Sequence, residues 1–362
     1  MSTYLVAIGV LCGLGLGLSV LLVLAQLCLT EYGECTINVN DDEEFVVDGG
    51  CTLLDALYAN EIYIPSACGG QGTCGYCTIK VLSGGGPVLP TELPHLSRPE
   101  QRMGFRLACQ VKVREDMAVW VKPEYLEVEQ FDARIKSARM LTPDTRELDI
   151  ELLEPEEIDF SPGQYVQVSV PTKEGPVIRA YSIATEPKVK DWLRLVVRLI
   201  PGGIGSTYLH EVEEGEELSF TGPYGEYQLS KDPETDIVCV AGGCGMAPIR
   251  SIARHIADNW PERKCYVFFG VRARKDLFYE DEFNELADEY PGIEFYPALS
   301  DPDPEDQWEG ETGFIHTAVE KHLEAGGKRE AFLCGPPPMI EATTEVLHEK
   351  GLKDHQIYYD EF

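Results

Sequence analysis

The chain opens on an unbroken apolar run. From Tyr4 to Leu29 only Ser19 and Gln26 interrupt it, and no Asp, Glu, Lys or Arg occurs before Glu31. About two dozen helical residues reach roughly 36 Å, enough for a hydrocarbon core of about 30 Å, so the run predicts a transmembrane helix over residues 4–29. A cleaved signal peptide would need a basic start and a shorter apolar core. Gly9, Gly13 and Gly17 recur at every fourth position, with Gly15 beside them, on a face where a second helix could pack closely. Short alternating stretches then predict strands at Cys35–Asn40, Glu44–Val47, Thr78–Leu82, Cys109–Val113 and Met117–Val121. Thr52–Asn60 reads as a helix with Thr52 as its N-cap, and Gly84–Pro99 as loop.

From about Phe131 the texture is all strand, at Ala133–Ala138, Thr145–Leu152, Tyr165–Val170, Ile178–Ala184, Trp192–Leu199 and Glu217–Thr221. Turn pairs such as Pro162-Gly163 and Gly222-Pro223 separate them, which predicts a small antiparallel β-barrel. After Asp236, buried strands at Ile237–Ala241, Cys265–Gly270, Ile293–Ala298 and Glu330–Cys334 alternate with helices, one from about Pro248. That is a doubly wound α/β sheet. The expected organisation is a helix over 4–29, an α+β domain over 33–128, a barrel over 129–232 and an α/β domain over 233–362.

Length and charge narrow the function. The 362 residues allow two or three cores. A net charge of −32 excludes nucleic acid or anionic headgroups as electrostatic partners. The first basic residue is Lys80, so charge cannot orient the helix.

Of the twelve cysteines, Cys68, Cys74, Cys77 and Cys109 form a constellation: C-x₅-C-x₂-C in a glycine-rich stretch, and a fourth cysteine from a distant segment. Small residues let the backbone wrap a cluster and aim amides at its sulfur atoms, so the pattern predicts a [2Fe–2S] site. A zinc ribbon would need two compact pairs. Cys12 and Cys28 lie in the apolar run, and Cys35, Cys51, Cys239 and Cys265 read as small core residues, which fits a reducing compartment. The x₅ spacing resembles adrenodoxin-type ferredoxins, and the order of strands and helix in 33–128 is that of a ferredoxin domain.

Arg179-Ala180-Tyr181-Ser182, on a barrel strand, resembles the flavin signature of the ferredoxin–NADP⁺ reductase superfamily. The resemblance implies that Arg179 pairs with the FAD pyrophosphate, Tyr181 packs on the isoalloxazine and Ser182 lies near the hydride-accepting nitrogen. Gly202-Gly203-Ile204-Gly205-Ser206-Thr207 precedes a helix expected at Tyr208, where Gly205, Ser206 and Thr207 would hold flavin phosphates. Gly242, Gly243, Cys244, Gly245, Met246, Ala247 and Pro248 follow a strand and open a helix. They match the superfamily's nicotinamide loop, not a G-x-G-x-x-G fingerprint. Cys334, Gly335 and Pro336 match its second nicotinamide motif, with Cys334 as a packing group beside hydride transfer. Ser300-Asp301 stands where NADP-dependent relatives place an arginine after the serine, so Asp301 predicts NADH, with Arg272 and Arg274 nearby as the competing feature.

The whole chain resembles the F subunits of the Na⁺-translocating NADH:quinone reductases, most closely over residues 298–306, Trp308, Gly313–His316 and the ending Tyr359-Asp360-Glu361-Phe362. That resemblance implies hydride transfer from NADH to FAD and single electrons to the cluster, with Ser182, Cys334 and Phe362 beside the reacting atoms and Phe362 covering the flavin. It also implies membrane-subunit partners, met through the ferredoxin domain and the helix, at the inner membrane with the catalytic domains in the cytoplasm. Quinone reduction coupled to Na⁺ is the implied outcome. A short hairpin between Tyr165 and Arg179 and a compact turn at Pro201-Gly202-Gly203 depart from the family pattern. The alternatives are the reductase component of a multicomponent oxygenase and, outside enzymes, a membrane-tethered redox sensor.

Overall fold

A computed structural model describes residue 9 and residues 12–20, 32–173, 175–225 and 229–362. The predicted span over 4–29 falls largely outside these. Within it residues 12–20 are helical and exposed, and among the described residues no helix is long and apolar enough to cross a membrane. The chain divides into two compact units, Met1–Val128 and Glu129–Phe362.

The first unit is a five-stranded sheet of order β2-β1-β5-β3-β4, built from β1 (Glu34–Val39), β2 (Glu43–Asp48), β3 (Thr78–Ser83), β4 (Phe105–Leu107) and β5 (Met117–Trp120). Short helices α1 (Leu53–Tyr58), α2 (Arg98–Met103) and α3 (Pro123–Leu126) flank it. Asn40 and Asp41 carry positive φ at the β1–β2 turn, as a tight right-twisting hairpin requires. Thr52 caps α1 by accepting from the Asp55 amide at 3.1 Å, as its sequence predicts. Ile37, Val39, Leu53, Leu57, Ile64, Leu107 and Val119 form the fully buried centre.

Two readings of this unit need correction. Residues 109–113 are not a strand: the pairing strand is Phe105–Leu107, and Cys109 sits in the turn after it. The Gln110 and Val111 amides fold back on the Leu107 carbonyl at 2.8 and 3.1 Å, which swings Cys109 toward the cysteine loop. The stretch expected as loop ends in α2, opened by a Ser97/Glu100 capping box with a proline in its first turn.

The rest of that loop is held by a buried ion pair. Arg106 is 4 % and Glu92 0 % exposed, with Nη2 and Oε2 2.7 Å apart. Arg106 also donates to the Gly85, Gly86 and Pro87 carbonyls at 2.6–3.0 Å, while Glu92 accepts from the Leu89 and Leu107 amides at 2.7 and 2.9 Å. The buried charges are thus matched to each other and to the backbone around them.

The second unit begins with a six-stranded antiparallel sheet of order β10-β7-β6-β11-β8-β9. Its elements are β6 (Glu129–Met140), β7 (Thr145–Glu154), β8 (Tyr165–Val170), β9 (Val177–Ser182), β10 (Trp192–Arg198), α4 (Ile204–Glu211) and β11 (Glu217–Tyr224). A bridge between Ile183 and Leu195 joins its two edges, so the sheet curls into a barrel around stacked Phe131 and Phe220, 5.1 Å apart.

The chain then winds β12 (Asp236–Gly242), α5 (Met246–Asn259), β13 (Cys265–Val271), α6 (Glu280–Glu289), β14 (Ile293–Leu299), β15 (Glu311–Thr312), α7 (Ile315–His322), β16 (Arg329–Gly335), α8 (Pro337–Glu349) and β17 (Ile357–Glu361). All six strands are parallel, in the order β15-β14-β13-β12-β16-β17, and cores lie on both faces. The order reverses between β12 and β16, and the carboxyl ends flanking such a switch point form a crevice. The last strand, β17, carries no clear signal in the sequence: its five residues follow a short turn and include two acidic side chains.

Truncating Arg106 leaves the Glu92 carboxylate buried and unpaired. Arg106→Ala is expected to destabilise the first unit by about 3–5 kcal/mol. Urea unfolding should then start at a clearly lower concentration, and an unchanged midpoint would contradict the pairing.

Candidate functional site

The four cysteines stand as two pairs. The Cys74 thiol donates to Cys68 at 3.4 Å, and Cys77 and Cys109 share a second sulfur–sulfur hydrogen bond. Within the pairs Cys68 is drawn down to about 3 by the Cys74 thiol, and Cys109 to about 7 by Cys77, while Cys74 and Cys77 are pushed up. The amides of Thr73 and Cys74 face the Cys68 sulfur, that of Tyr76 faces Cys74, and that of Gly72 faces Cys109. Gln110 adds its side-chain amide to Cys109 at 3.5 Å. Among the described residues no three His, Cys, Asp or Glu side chains gather as a single-ion site. Two sulfur pairs inside a ring of amide donors fit a binuclear iron–sulfur cluster, with one pair for each iron.

In the second unit, Arg179, Ala180, Tyr181 and Ser182 lie half-buried on β9. They stand directly against the glycine-rich turn. A Cβ on Gly205 would come within 2.6 Å of Tyr181 Oη and 2.7 Å of Arg179 Cγ. Burial pushes the Tyr181 phenol up to about 12, against the opposing pull of Arg179. The helix after the turn starts at Ile204, not Tyr208, so Gly205, Ser206 and Thr207 form its first turn. That changes their roles. Ser206 Oγ accepts from the Ile200 amide at 3.0 Å and so braces the turn, and the Thr207 amide donates to the Gly203 carbonyl at 3.0 Å. The groups that this turn could offer an anion are therefore backbone amides of the first helical positions.

The crevice at the ends of β12 and β16 is a cavity of about 490 Å³. Gly242, Gly243, Ser300, Pro336 and Phe362 line it, so it gathers residues that the sequence places in separate segments. The others of the nicotinamide loop lie behind that surface. Met246 and Ala247 are core residues, Pro248 is buried in the first turn of α5, and a Cβ on Gly245 would lie 2.1 Å from the Cys334 carbonyl oxygen. Cys334 is 3 % exposed, and burial with nearby Asp360 pushes its thiol well up. Cys244, pushed up to about 11 by burial, lies close enough to act on both Tyr181 and Cys334. Both thiols are protonated packing groups. Gly335 pairs with Glu361 across β16 and β17, which delivers Phe362 to the cavity.

Asp301 is not a lone acid. It pairs with Arg272 at 3.2 Å and its amide donates to the Arg272 carbonyl at 2.8 Å, both side chains being largely exposed. Arg274 turns away to Glu280 at 2.5 Å and lies over the Trp308 ring at 5.2 Å. Sequence reading missed several lining residues. Asp144 and Arg198, paired at 2.9 Å, reach the cavity from the barrel, and Phe314 and His316 reach it from the start of α7. The first two are 54 residues apart and carry no local motif.

Three family models match the chain in order: a 2Fe-2S iron-sulfur cluster binding domain over residues 37–114, an oxidoreductase FAD-binding domain over 132–229 and an oxidoreductase NAD-binding domain over 239–345. The F subunit of the Na(+)-translocating NADH-quinone reductase of Neisseria gonorrhoeae is 37% identical over 393 residues, covering 96% of each chain. That of Actinobacillus succinogenes is 34% identical over 409 residues, covering 100% of this chain and 99% of the relative. Among solved structures, the Amycolatopsis cytochrome P450 reductase GcoB matches with a TM-score of 0.72 at 30% identity, covering 91% of this chain and 98% of that one. The ferredoxin reductase in carbazole 1,9a-dioxygenase matches with a TM-score of 0.69 at 26% identity over the same shares.

The contact of Gly205 with Tyr181 and Arg179 yields a test. A side chain there displaces both, so Gly205→Val is expected to weaken FAD retention by at least about tenfold, or about 1.4 kcal/mol. Flavin fluorescence released on dilution measures it, and native-like retention in a folded variant would separate the turn from flavin binding.

Proposed function

The chain belongs to the family of F subunits of the Na(+)-translocating NADH-quinone reductases, and from that premise we propose that it is the electron-input subunit of a membrane redox complex. It is an NADH-dependent oxidoreductase with FAD and a [2Fe–2S] cluster, in which hydride from NADH reduces FAD and electrons then pass singly to the cluster. The observation that carries the site assignment is the meeting of Gly242-Gly243, Pro336 and Phe362 in one cavity, with the next residue of that loop, Cys244, near Tyr181.

In this reading Cys68, Cys74, Cys77 and Cys109 hold the cluster. Arg179 and the first amides of α4 take the flavin phosphates, since a guanidinium fork and a helix start both suit an anion. Tyr181 covers the flat ring, and Ser182 stands at the hydride-accepting edge. Gly242 and Gly243 admit the dinucleotide close to the backbone, with Ser300 at its adenosine end and Arg198 facing its phosphates from the barrel. Phe362, 55 % exposed and lining the same cavity, is the aromatic that the nicotinamide would displace.

Residues 4–29, apolar and free of charge, support a single-pass anchor in the inner membrane with both units in the cytoplasm, where nicotinamide cofactors are found. Membrane subunits are then the partners, reached through the cluster unit and the anchor, and quinone is the final acceptor with Na⁺ coupling. The likeness to GcoB and to the carbazole dioxygenase reductase favours a second reading, the reductase of an oxygenase. NADH oxidation in membranes that responds to quinone and Na⁺ supports the first; electron delivery to a soluble oxygenase supports the second.

Cys74→Ala should abolish the cluster's EPR signal yet leave the flavin reducible by NADH, because hydride transfer needs no iron. Loss of flavin reduction in a folded, FAD-loaded variant would overturn the order of carriers.

Cofactor choice gives a second test. Asp301 repels an extra 2′-phosphate and neutralises Arg272. The native protein should prefer NADH by kcat/KM, and Asp301→Arg should shrink that preference by up to about tenfold, a contact of about 1.4 kcal/mol. A native preference for NADPH, or an unchanged ratio, would assign the selectivity elsewhere.

A further inference from the structure

The barrel and the nicotinamide sheet are joined by a closed ring of contacts that none of the cofactor motifs includes. On the barrel side Glu147 of β7 is 2 % exposed. It pairs with Arg139 at 2.5 Å and with Arg194 at 3.3 Å, and Arg194 in turn forks onto Asp149 at 2.7 and 2.9 Å. From the sheet side Tyr279 donates its hydroxyl to Glu147. Tyr279 sits at the N-cap of α6 with φ +59°, a left-handed backbone that a bulky side chain rarely adopts. Its ring lies under the Arg250 guanidinium at 5.5 Å. Arg250, 7 % exposed, donates to the Ala184 carbonyl at 2.6 Å, and the Ala184 amide donates to the Arg194 carbonyl at 2.8 Å. The ring thus runs Glu147, Tyr279, Arg250, Ala184, Arg194 and back to Glu147.

Two of its members lie close in sequence to the cofactor motifs. Ala184 lies two residues past Ser182, the last residue of the flavin strand. Arg250 is five residues past Gly245, on the helix that the nicotinamide loop opens. A displacement at the ring is passed to both reacting faces through one short extended segment and little more than one helical turn. Hydride transfer is steep in geometry, and an ångström of misplacement can cost about a hundredfold in rate.

We propose that Glu147 and Tyr279 are positioning residues for hydride transfer, fixing through Arg250 and Ala184 how the nicotinamide loop faces the flavin strand. This rests on the NADH-to-FAD reading of the site. The strained backbone at Tyr279 fits it, since such a conformation persists only where surrounding contacts over-determine it.

The test is anaerobic stopped-flow reduction of the full-length, FAD-loaded protein by NADH, in native form and as Tyr279→Phe, Glu147→Gln and the double variant. Tyr279→Phe removes one hydroxyl and keeps the ring beneath Arg250. Its limiting rate of flavin reduction at saturating NADH is expected to fall about tenfold, with NADH half-saturation within about twofold and flavin content at the native level. Glu147→Gln keeps an acceptor for Tyr279 but not the charge, so it should lose less, and it serves as the test if the first variant fails to accumulate. The double variant should be no slower than Tyr279→Phe, because once the hydroxyl is gone the charge at position 147 no longer acts on Tyr279. A lower melting temperature with an unchanged limiting rate would overturn the proposal, as would a rate loss that follows flavin loss. A native protein that NADH does not reduce would overturn the reading of the site itself, and the native trace reports that separately.

Discussion

The geometry of the larger unit depends on how closely the loop after β12 approaches the end of β16. Ala241 pairs with Cys334 in a parallel register, and beyond that pair a Cβ on Gly245 would lie 2.1 Å from the Cys334 carbonyl oxygen. No side chain but glycine allows it. Because the loop can press against β16, α5 starts at once, at Met246, and its direction is set by two strands together. Arg250 then emerges where it can reach Ala184, and the Cys334 thiol is sealed beneath. The same strand, β16, carries β17 on its other edge, so the C-terminal aromatic arrives at the cavity from a register fixed by Cys334↔Asp360 and Gly335↔Glu361. The close contact at Gly245 thus orders the cavity floor and the arm toward the flavin strand, and the β16–β17 register brings in the aromatic.

The smaller unit solves a similar problem by charge. Three of its cysteines lie in one loop, which local glycines can shape, but Cys109 comes from another part of the chain and needs independent fixing. The Leu107 amide, two residues before it, is held by the buried Glu92 carboxylate, and Arg106 ties that carboxylate to the Gly85 and Gly86 carbonyls after β3. An arginine suits this where a lysine would not. Its planar fork meets a carboxylate and several carbonyls at once, and it remains charged when buried.

What could be read from the sequence follows from the range of the forces involved. Period-two alternation located most strands, and the cofactor motifs were legible because each is a contiguous turn whose residue types answer one anion or one ring. Elements whose existence depends on partners were misplaced. Cys109–Val113 alternates like a strand, yet its amides fold back on Leu107, and β17 forms only because β16 offers an edge. The start of α4 lies four residues ahead of where the sequence suggests, since Ile204-Gly205-Ser206 has poor helix propensity and is held by the bracing hydroxyl of Ser206. Contacts such as Asp144 with Arg198, or Tyr279 with Glu147, 132 residues apart, have no local signature at all. The apolar run over 4–29 lies largely outside the described residues, so the span predicted there rests on uninterrupted apolar length in the sequence and on no tertiary contact.

The charge distribution follows from the same division of labour. With 62 acidic and 30 basic residues, the chain spends several of its arginines inside: Arg106, Arg250, Arg263 and Arg329 are each less than a tenth exposed. What remains outside is more acidic than the composition alone conveys, so an anionic dinucleotide approaches against a broadly repulsive field. Two exposed guanidinium groups break that field at the cavity, Arg198 and Arg272, and each is already matched by an aspartate, Asp144 and Asp301. In the proposed reading of this cavity, an entering pyrophosphate or ribose would exchange with a carboxylate instead of meeting a bare cation. Exchange of that kind gives direction without tight capture, since the partner returns as the dinucleotide leaves. If the cavity takes the dinucleotide as proposed, such paired charges would favour release of NAD⁺ over its retention, where unpaired ones would hold the product.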